Sequence, residues 1–456
     1  MRISFLDDEP EIYPNQYGGK ARTIVNLARH LSVHPDVERV SILSRSINSS
    51  ETEFTRENIR FKRLEGYSTV TAILEEASSV DILNVHTCSF TMPYLRGFKA
   101  AIVNHLHDVI FATVDAGSHL DKALGNNWSA ILAPSQFARR TLLNVGWWAG
   151  LEPKVHVISR GVDKEKFFRT ERGRALEFIS RDNPGLSQSI EGAYPVLFFP
   201  HRVGVGKGDS LLGGLHDLLM SDYENPLILV TSESPEHPIH GVEYIGWVPT
   251  DNLRYFYSLS DVTLAPSLLP ESFSQVPLES LACGTPVVAF RFGNLACLID
   301  EFPSIHGSYP DASSVYEATS EILENPNKSA KEISESGEIV HCKYSITRIV
   351  QELLKTYQGL PKNFELDEPS QFVPDHESGR AYFVSPTIAQ YGRTIFVVDK
   401  SGMPERHDMD KMELEIVKAC QQAATHAEVH KTFNASPSEE IDSRLARLVK
   451  KQILVS

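Results

Sequence analysis

Two carboxylates, Glu271 and Glu279, stand with seven residues between them in the stretch PSLLPESFSQVPLESLACGTPVVAF, residues 266–290. An apolar run, Val262 to Ala265, precedes them, and a second, Pro286 to Phe290, follows. Between these runs, Pro277 to Cys283 reads as a short helix carrying the second acid. Strand, loop, helix and strand in this order predict a parallel sheet, whose ligands gather at the carboxyl ends of the strands. Carboxylates at such an end accept charge-assisted hydrogen bonds from a molecule rich in hydroxyls. The backbone N–H groups of a loop opening a helix suit a phosphate on the same molecule. Two cations, Arg202 and Lys207, lie five apart in the glycine-rich run FFPHRVGVGKG. They suit a diphosphate, the arginine gripping two oxygens and the lysine acting as a point charge.

Other candidates lie nearer the amino terminus. Gly18-Gly19 follows the first apolar strand and opens a helix. Backbone without side chains can approach a phosphate or sugar there, although for such a pair standing alone a plain turn is the favoured reading. His107-Asp108 follows the strand Ala101 to His105. A histidine at that end could donate to a sugar hydroxyl or adjust charge, against the alternative of a satisfied structural histidine. Ser135 reads as a helix cap, and Trp247 as a packing residue. Neither α/β half has an Asp-x-Asp motif to hold a divalent ion against phosphate, so no metal or cofactor is expected.

These residues need a framework that positions them. The chain of 456 residues is long enough for two or three domains. Short apolar strands alternate with amphipathic stretches over residues 1–168, and again over 195–345, predicting two doubly wound α/β domains. Residues 169–194 break the rhythm and read as a linker or insertion. The run ITRIVQELLKTY within 346–360 is strongly amphipathic. Residues 361–456 read as strand, three helices, strand, a small winged-helix-like α+β module. That module carries 12 basic and 15 acidic side chains, which argues against a nucleic-acid reader. A peptide-docking or dimerising role is the sharper reading, and packing on the catalytic body the bland one. The net charge of −15 likewise argues against a broad nucleic-acid or anionic-lipid surface. Five scattered cysteines without metal-ligand spacing, no apolar leader and no apolar window of eighteen residues predict a cytoplasmic protein without a membrane span.

The chain resembles the retaining glycosyltransferases of the GT-B fold, glycosyltransferase family 4 (glycosyl transferases group 1), over residues 1 to about 360. The resemblance rests on Glu271, Phe273, Val276, Pro277, Glu279, Ala282, Gly284, Pro286 and Val287, and on Gly161, Val162, Asp163 and Phe167 at the domain junction. It implies two Rossmann-like domains facing a cleft, with the helix of 346–360 crossing back to the first. It further implies a nucleotide diphospho-sugar donor, UDP more commonly than GDP, on the second domain and an acceptor on the first. His107, Arg202, Lys207 and Glu271 would be catalytic. Gly18, Gly19, Phe273, Ser274, Gln275, Val248 and Glu279 would bind the donor, Glu279 through the ribose. The family's pattern is altered at four places: Ser274 and His201 stand where glycine is usual, Ser159-Arg160 where Pro-Asn is usual, and no Glu follows Gly293 in RFGNLACLID, residues 291–300, where a Gly-Gly-x-x-Glu segment is common. The acceptor is left open between a peptide, a glycan and a small molecule. Two other functions are weighed: a nucleotide-sugar epimerase on the same fold, and a non-catalytic nucleotide-sugar-binding protein, against which the intact Arg202, Lys207, Glu271 and Glu279 speak.

Overall fold

The computed structural model describes residues 1–7, 19–44, 52–64, 68–86, 100–107, 128–144, 152–204, 206–360, 381–384, 388–391, 394–398, 404–420, 424–433, 437–451 and 453–455. Gly18, Asp108 and Cys88 lie outside them. The chain divides into two compact units, Met1–Gly161 with Ile346–Ser378, and Val162–Ser345 with Gly379–Ser456.

The first unit is built on eight strands: β1 (Arg2–Asp7), β2 (Arg39–Ser44), β3 (Glu53–Arg56), β4 (Ile59–Arg63), β5 (Ile82–His86), β6 (Ala101–His105), β7 (Ala130–Ala133) and β8 (Val155–Val157). Their order is β3-β4-β2-β1-β5-β6-β7-β8, parallel throughout except at β3–β4. Residues of β1, β5 and β6 are buried on both faces, as helix-covered parallel strands must be. Helix Gly19–Ser32 covers one face, and helix Ile346–Gly359 packs into the same core through Ile346, Ile349, Val350, Leu353 and Tyr357. The antiparallel hairpin β3–β4 is absent from the expectations above. Its turn residues Glu57 and Asn58 take φ of 53° and 61°, as a primed hairpin turn requires. Its charged, exposed residues hide the strand signal.

The second unit has six parallel strands: β9 (Val196–Phe199), β10 (Leu227–Val230), β11 (Val242–Tyr244), β12 (Val262–Ala265), β13 (Val287–Phe290) and β14 (Ile305–Ser308). The order β11-β10-β9-β12-β13-β14 reverses direction between β9 and β12. Residues 169–194 are not a linker. They form helices Arg172–Asp182 and Pro184–Glu191, the second capped by Asn183 with proline in its first turn. Ala175, Ile179, Leu186 and Ile190 enter the core of this unit. The local signal was the Asn-Pro start, outweighed in the sequence reading by polar residues on the outer face. Helices Asn294–Glu301 and Pro326–Lys343 are further additions. The segment after residue 380 holds helices Lys411–Ala419, His426–Thr432 and Ser438–Lys450. Strands β15 (Ala381–Val384), β16 (Ile388–Tyr391), β17 (Thr394–Val398), β18 (Pro404–Asp408), β19 (Ala424–Thr425) and β20 (Leu454–Val455) join in two three-stranded antiparallel sheets. No helix among the described residues is long and apolar enough to cross a membrane. Cys283, Cys297, Cys342 and Cys420 are free thiols.

Candidate active site

In the second unit the loops after β9 and β12 flank the point where strand order reverses, the place where open parallel sheets take their ligands. The loop after β9 carries His201, Arg202 and Lys207; the loop after β12 carries Glu271 to Gln275. Glycine lets the two loops meet. Gly206, at φ 84°, would drive a Cβ to 2.5 Å from Leu269 Cγ, and Gly208, at φ 82°, to 2.2 Å from the Pro266 carbonyl. In their place, the Leu268 N–H donates to the Gly206 carbonyl at 2.8 Å. Lys207 Nζ then donates to Glu271 Oε1 at 2.8 Å, with the two side chains 38% and 17% exposed. Burial alone would raise the Glu271 carboxyl. The Lys207 ammonium, with the electropositive edge of His201, outweighs it and brings the group down to about 2. Burial and the same lysine push His201 down to about 3, so the ring is neutral beside the ion pair. The sequence reading assigned His201 no role; its only mark was occupying a glycine's place.

The acid-bearing loop is braced from below. The Asn294 N–H donates to the Glu271 carbonyl at 2.9 Å, and Asn294 Nδ2 donates to the Phe273 carbonyl at 2.5 Å. Gly293 permits this approach, since its Cβ would lie 2.7 Å from the Glu271 nitrogen. Phe273 itself is core, its ring 6.1 Å from that of Tyr344. Ser274 has φ 69°, the left-handed region that glycine tolerates and a serine pays for at about 1 kcal/mol. That conformation is the physical reason glycine is usual there. Gln275 is the cap residue of helix Val276–Ala282.

Glu279, 1% exposed, accepts a hydrogen bond from the Tyr257 hydroxyl at 3.1 Å. Arg202 is exposed and makes no ion pair among the described residues. The structure therefore joins Lys207 to Glu271 directly, while Arg202 lies on the loop of the lysine and Glu279 on helix Val276–Ala282, where it meets Tyr257. Val248 is half-buried against the core. Trp247, expected to pack, is 47% exposed.

The first unit presents different chemistry at its own reversal, between β1 and β5. Gly19 begins its helix, and Lys20, the next residue, pairs with Asp7 at the end of β1 at 2.9 Å, the two side chains 8% and 0% exposed. His107 joins two further histidines at the neighbouring strand ends. His86 and His105 lie 4.6 Å apart between ring centroids, His86 and His107 4.8 Å, and His105 and His107 5.3 Å. Burial first, and Arg160 among the neighbouring cations, lower all three, His105 to about 3. Arg160 can only donate, so the 3.1 Å contact from its Nη2 makes His107 Nδ1 an acceptor. The His107 proton is then on Nε2 and donated to His86 Nδ1 at 2.5 Å. His107 thus spends both ring nitrogens within the unit, which displaces the hydroxyl-donating role given to it above. His86 Nε2 and both nitrogens of His105 are buried without a hydrogen-bond partner among the described residues. Ser135 caps its helix as expected, accepting from the Ala138 N–H at 3.0 Å.

Residues 234–339 match the family model described as glycosyl transferases group 1. A D-inositol 3-phosphate glycosyltransferase of Corynebacterium urealyticum is 32% identical over 230 residues, 46% of this chain and 52% of its own length. An uncharacterized glycosyltransferase of Methanocaldococcus jannaschii is 30% identical over 218 residues, 45% of this chain and 54% of its own. The chain thus spans about half the length of these relatives. A phosphatidyl-myo-inositol mannosyltransferase of Propionibacterium freudenreichii is 30% identical over 110 residues, covering 24% of this chain and 28% of its own. Among solved structures, sucrose-phosphate synthase from Thermosynechococcus elongatus superposes with a TM-score of 0.63 at 16% identity, over 78% of this chain and 98% of its own. Anabaena HepE, solved with UDP and glucose, gives 0.62 at 17% identity, over 79% of this chain and 100% of its own. These likenesses establish the fold as GT-B, and within it residues 234–339 match the glycosyl transferases group 1.

Proposed function

We propose that the protein is a retaining glycosyltransferase that moves a sugar from a nucleotide diphospho-sugar, UDP-linked in the first instance, to a hydroxyl acceptor. The observation that carries this reading is the Lys207–Glu271 pair at the strand-order reversal of the second unit. A diphosphate arriving there takes Lys207, with Arg202 of the same loop beside it, and the loss of the lysine frees Glu271 to accept hydrogen bonds from the transferred sugar. The backbone N–H groups of Phe273, Ser274 and Gln275 complete the sugar's setting, and Glu279 takes the ribose hydroxyls. Charge neutralisation of the leaving diphosphate by the two cations lowers the barrier by several kcal/mol in this reading, which calls for no metal. Retention follows from front-face substitution, with the leaving phosphate helping to deprotonate the acceptor and no covalent intermediate on Glu271.

The first unit is assigned the acceptor. Its neutral histidines suit hydroxyl recognition, with His107 held by Arg160 and the unpartnered nitrogens of His86 and His105 offering the free donors and acceptors. The relatives and structural neighbours set the first acceptors to try. Inositol 3-phosphate belongs to the D-inositol 3-phosphate glycosyltransferase, and glucose 6-phosphate to a trehalose-phosphate synthase of Burkholderia xenovorans solved with it.

Thermal shift with a panel of UDP- and GDP-sugars identifies the donor, because a ligand of the native state raises stability by mass action. Turnover is then measured with the acceptor set. Glu279→Ala should weaken nucleotide binding and Lys207→Ala should mainly lower turnover. Wild-type kinetics in both variants would remove the site assignment. A changed sugar still attached to its nucleotide, with no acceptor present, would favour an epimerase instead.

A further inference from the structure

The second unit carries another convergent cluster away from the glycine loop. His216 and Asp217 lie on helix Leu212–Asp222, and His240 lies on the segment entering β11. One ligand atom of each residue falls within 4.8 Å of the others. The two imidazole rings sit 5.5 Å apart and nearly perpendicular. His216 is 7% exposed, and its Nδ1 is buried without a hydrogen-bond partner among the described residues. An orphan of this kind costs roughly 1–3 kcal/mol unless something takes it up.

The backbone around the cluster is pinned. Gly241, at φ 73°, lies so close over the His216 ring that a Cβ would stand 2.1 Å from its Cγ. On the other side of His240, Ile239 approaches the same helix, its Cγ2 3.1 Å from where a Cβ on Gly213 would be. The Ile239 N–H also donates to the Tyr244 hydroxyl at 3.1 Å. Both neighbours of His240 are therefore held against the helix that supplies the other two side chains. Asp217 and His240 are exposed, so their side chains can turn without repacking a core.

We propose that His216, Asp217 and His240 form a site for a divalent transition-metal ion of the zinc class, which ties helix Leu212–Asp222 to the segment leading into β11. Two imidazoles and one carboxylate are donors for zinc, nickel or copper and a poor set for magnesium or calcium. Ligand atoms of a tetrahedral zinc stand roughly 3.4 Å apart, so an inward turn of the exposed pair by about 1 Å closes the site, with solvent in the fourth position. The helix follows the loop of Lys207, and β11 leads to Gly246-Trp247-Val248. A bound ion would brace both segments from outside the site described above, whatever donor that site takes.

The test is calorimetric titration of zinc chloride into the full chain stripped by a chelator, with magnesium chloride alongside. Wild type, His240→Ala and Asp217→Asn are compared; both changes are at exposed positions, and circular dichroism checks that each variant folds. The expected result is one zinc equivalent in wild type, an affinity at least ~10-fold weaker in each variant, and a zinc-dependent rise in melting temperature confined to wild type. The chain has 17 histidines, so uptake alone does not decide. No uptake by wild type, or equal uptake and affinity in wild type and His240→Ala, overturns the proposal.

Discussion

The two units reverse strand order in the same way and place opposite chemistry at the reversal. In the first, a lysine follows a glycine at a helix start, but its charge is spent inside the unit on Asp7, and the strand ends beside it carry three neutral imidazoles. In the second, the lysine sits on a glycine loop, partly open to solvent, and its partner Glu271 is held ionised largely by that lysine. A buried pair is part of the structure, because removing one member strands the other in a medium that penalises charge. A half-exposed pair stabilises little and can be exchanged for an anionic ligand at small cost. The comparison teaches that motif position does not identify an anion site. Accessibility of the cation does.

The largest effects should separate the two lysines. Lys20→Ala should cost about 3–5 kcal/mol of folding stability, read as a fall in the urea midpoint, since Asp7 is left buried. Lys207→Ala should cost less stability than that, because the lysine is partly open to solvent, while lowering kcat by on the order of 10²–10³. Similar stability losses in both variants would erase the distinction. Next in size, Glu271→Gln should tighten UDP binding several-fold, because the lysine is no longer neutralised, while turnover falls; isothermal titration against steady-state rates shows whether the two move apart.

The histidines of the first unit predict a pH dependence. Their folded values lie below the ordinary imidazole value, so below about pH 6.5 the unfolded chain binds more protons than the native one. Stability should therefore be full above that pH. It should be lost as pH falls towards 3, by about 1.4 kcal/mol per unit for His105, with His86 acting in the same direction. A urea midpoint that stays flat from pH 7 to pH 5 would count against the cluster's neutrality, and His105→Phe should flatten the profile in part. The smallest effect is at Ser274. Its change to glycine should add about 1 kcal/mol of stability by relieving the left-handed conformation, a rise of a few degrees in Tm. If the serine shapes the sugar pocket, the ratio of kcat/KM between two donor sugars shifts as well.

Much of the framework was legible in the residues. Apolar runs such as VLFF, LILV and VVAF can only be strands covered on both faces, and each lies in the second sheet. Residues 172–191 and the hairpin β3–β4 were not legible, because their outward faces are polar and only half of each pattern is apolar. The Glu271–Glu279 spacing pointed to the loop after β12, yet the partners of those acids, Lys207 and Tyr257, are distant in sequence. Only His105 and His107, at one strand end, are neighbours in the sequence; His86 and Arg160 follow other strands and meet them only when the sheet forms.

Periodicity, glycine placement and residue type, properties of neighbours along the chain, determined which segments become strands and helices and which loops could hold a sugar phosphate. Which cation stays accessible, which histidine nitrogens are already used and which serine is strained were decided only by tertiary structure. Burial and hydrogen bonding depend on groups that approach through the sheet, and no local pattern encodes that approach.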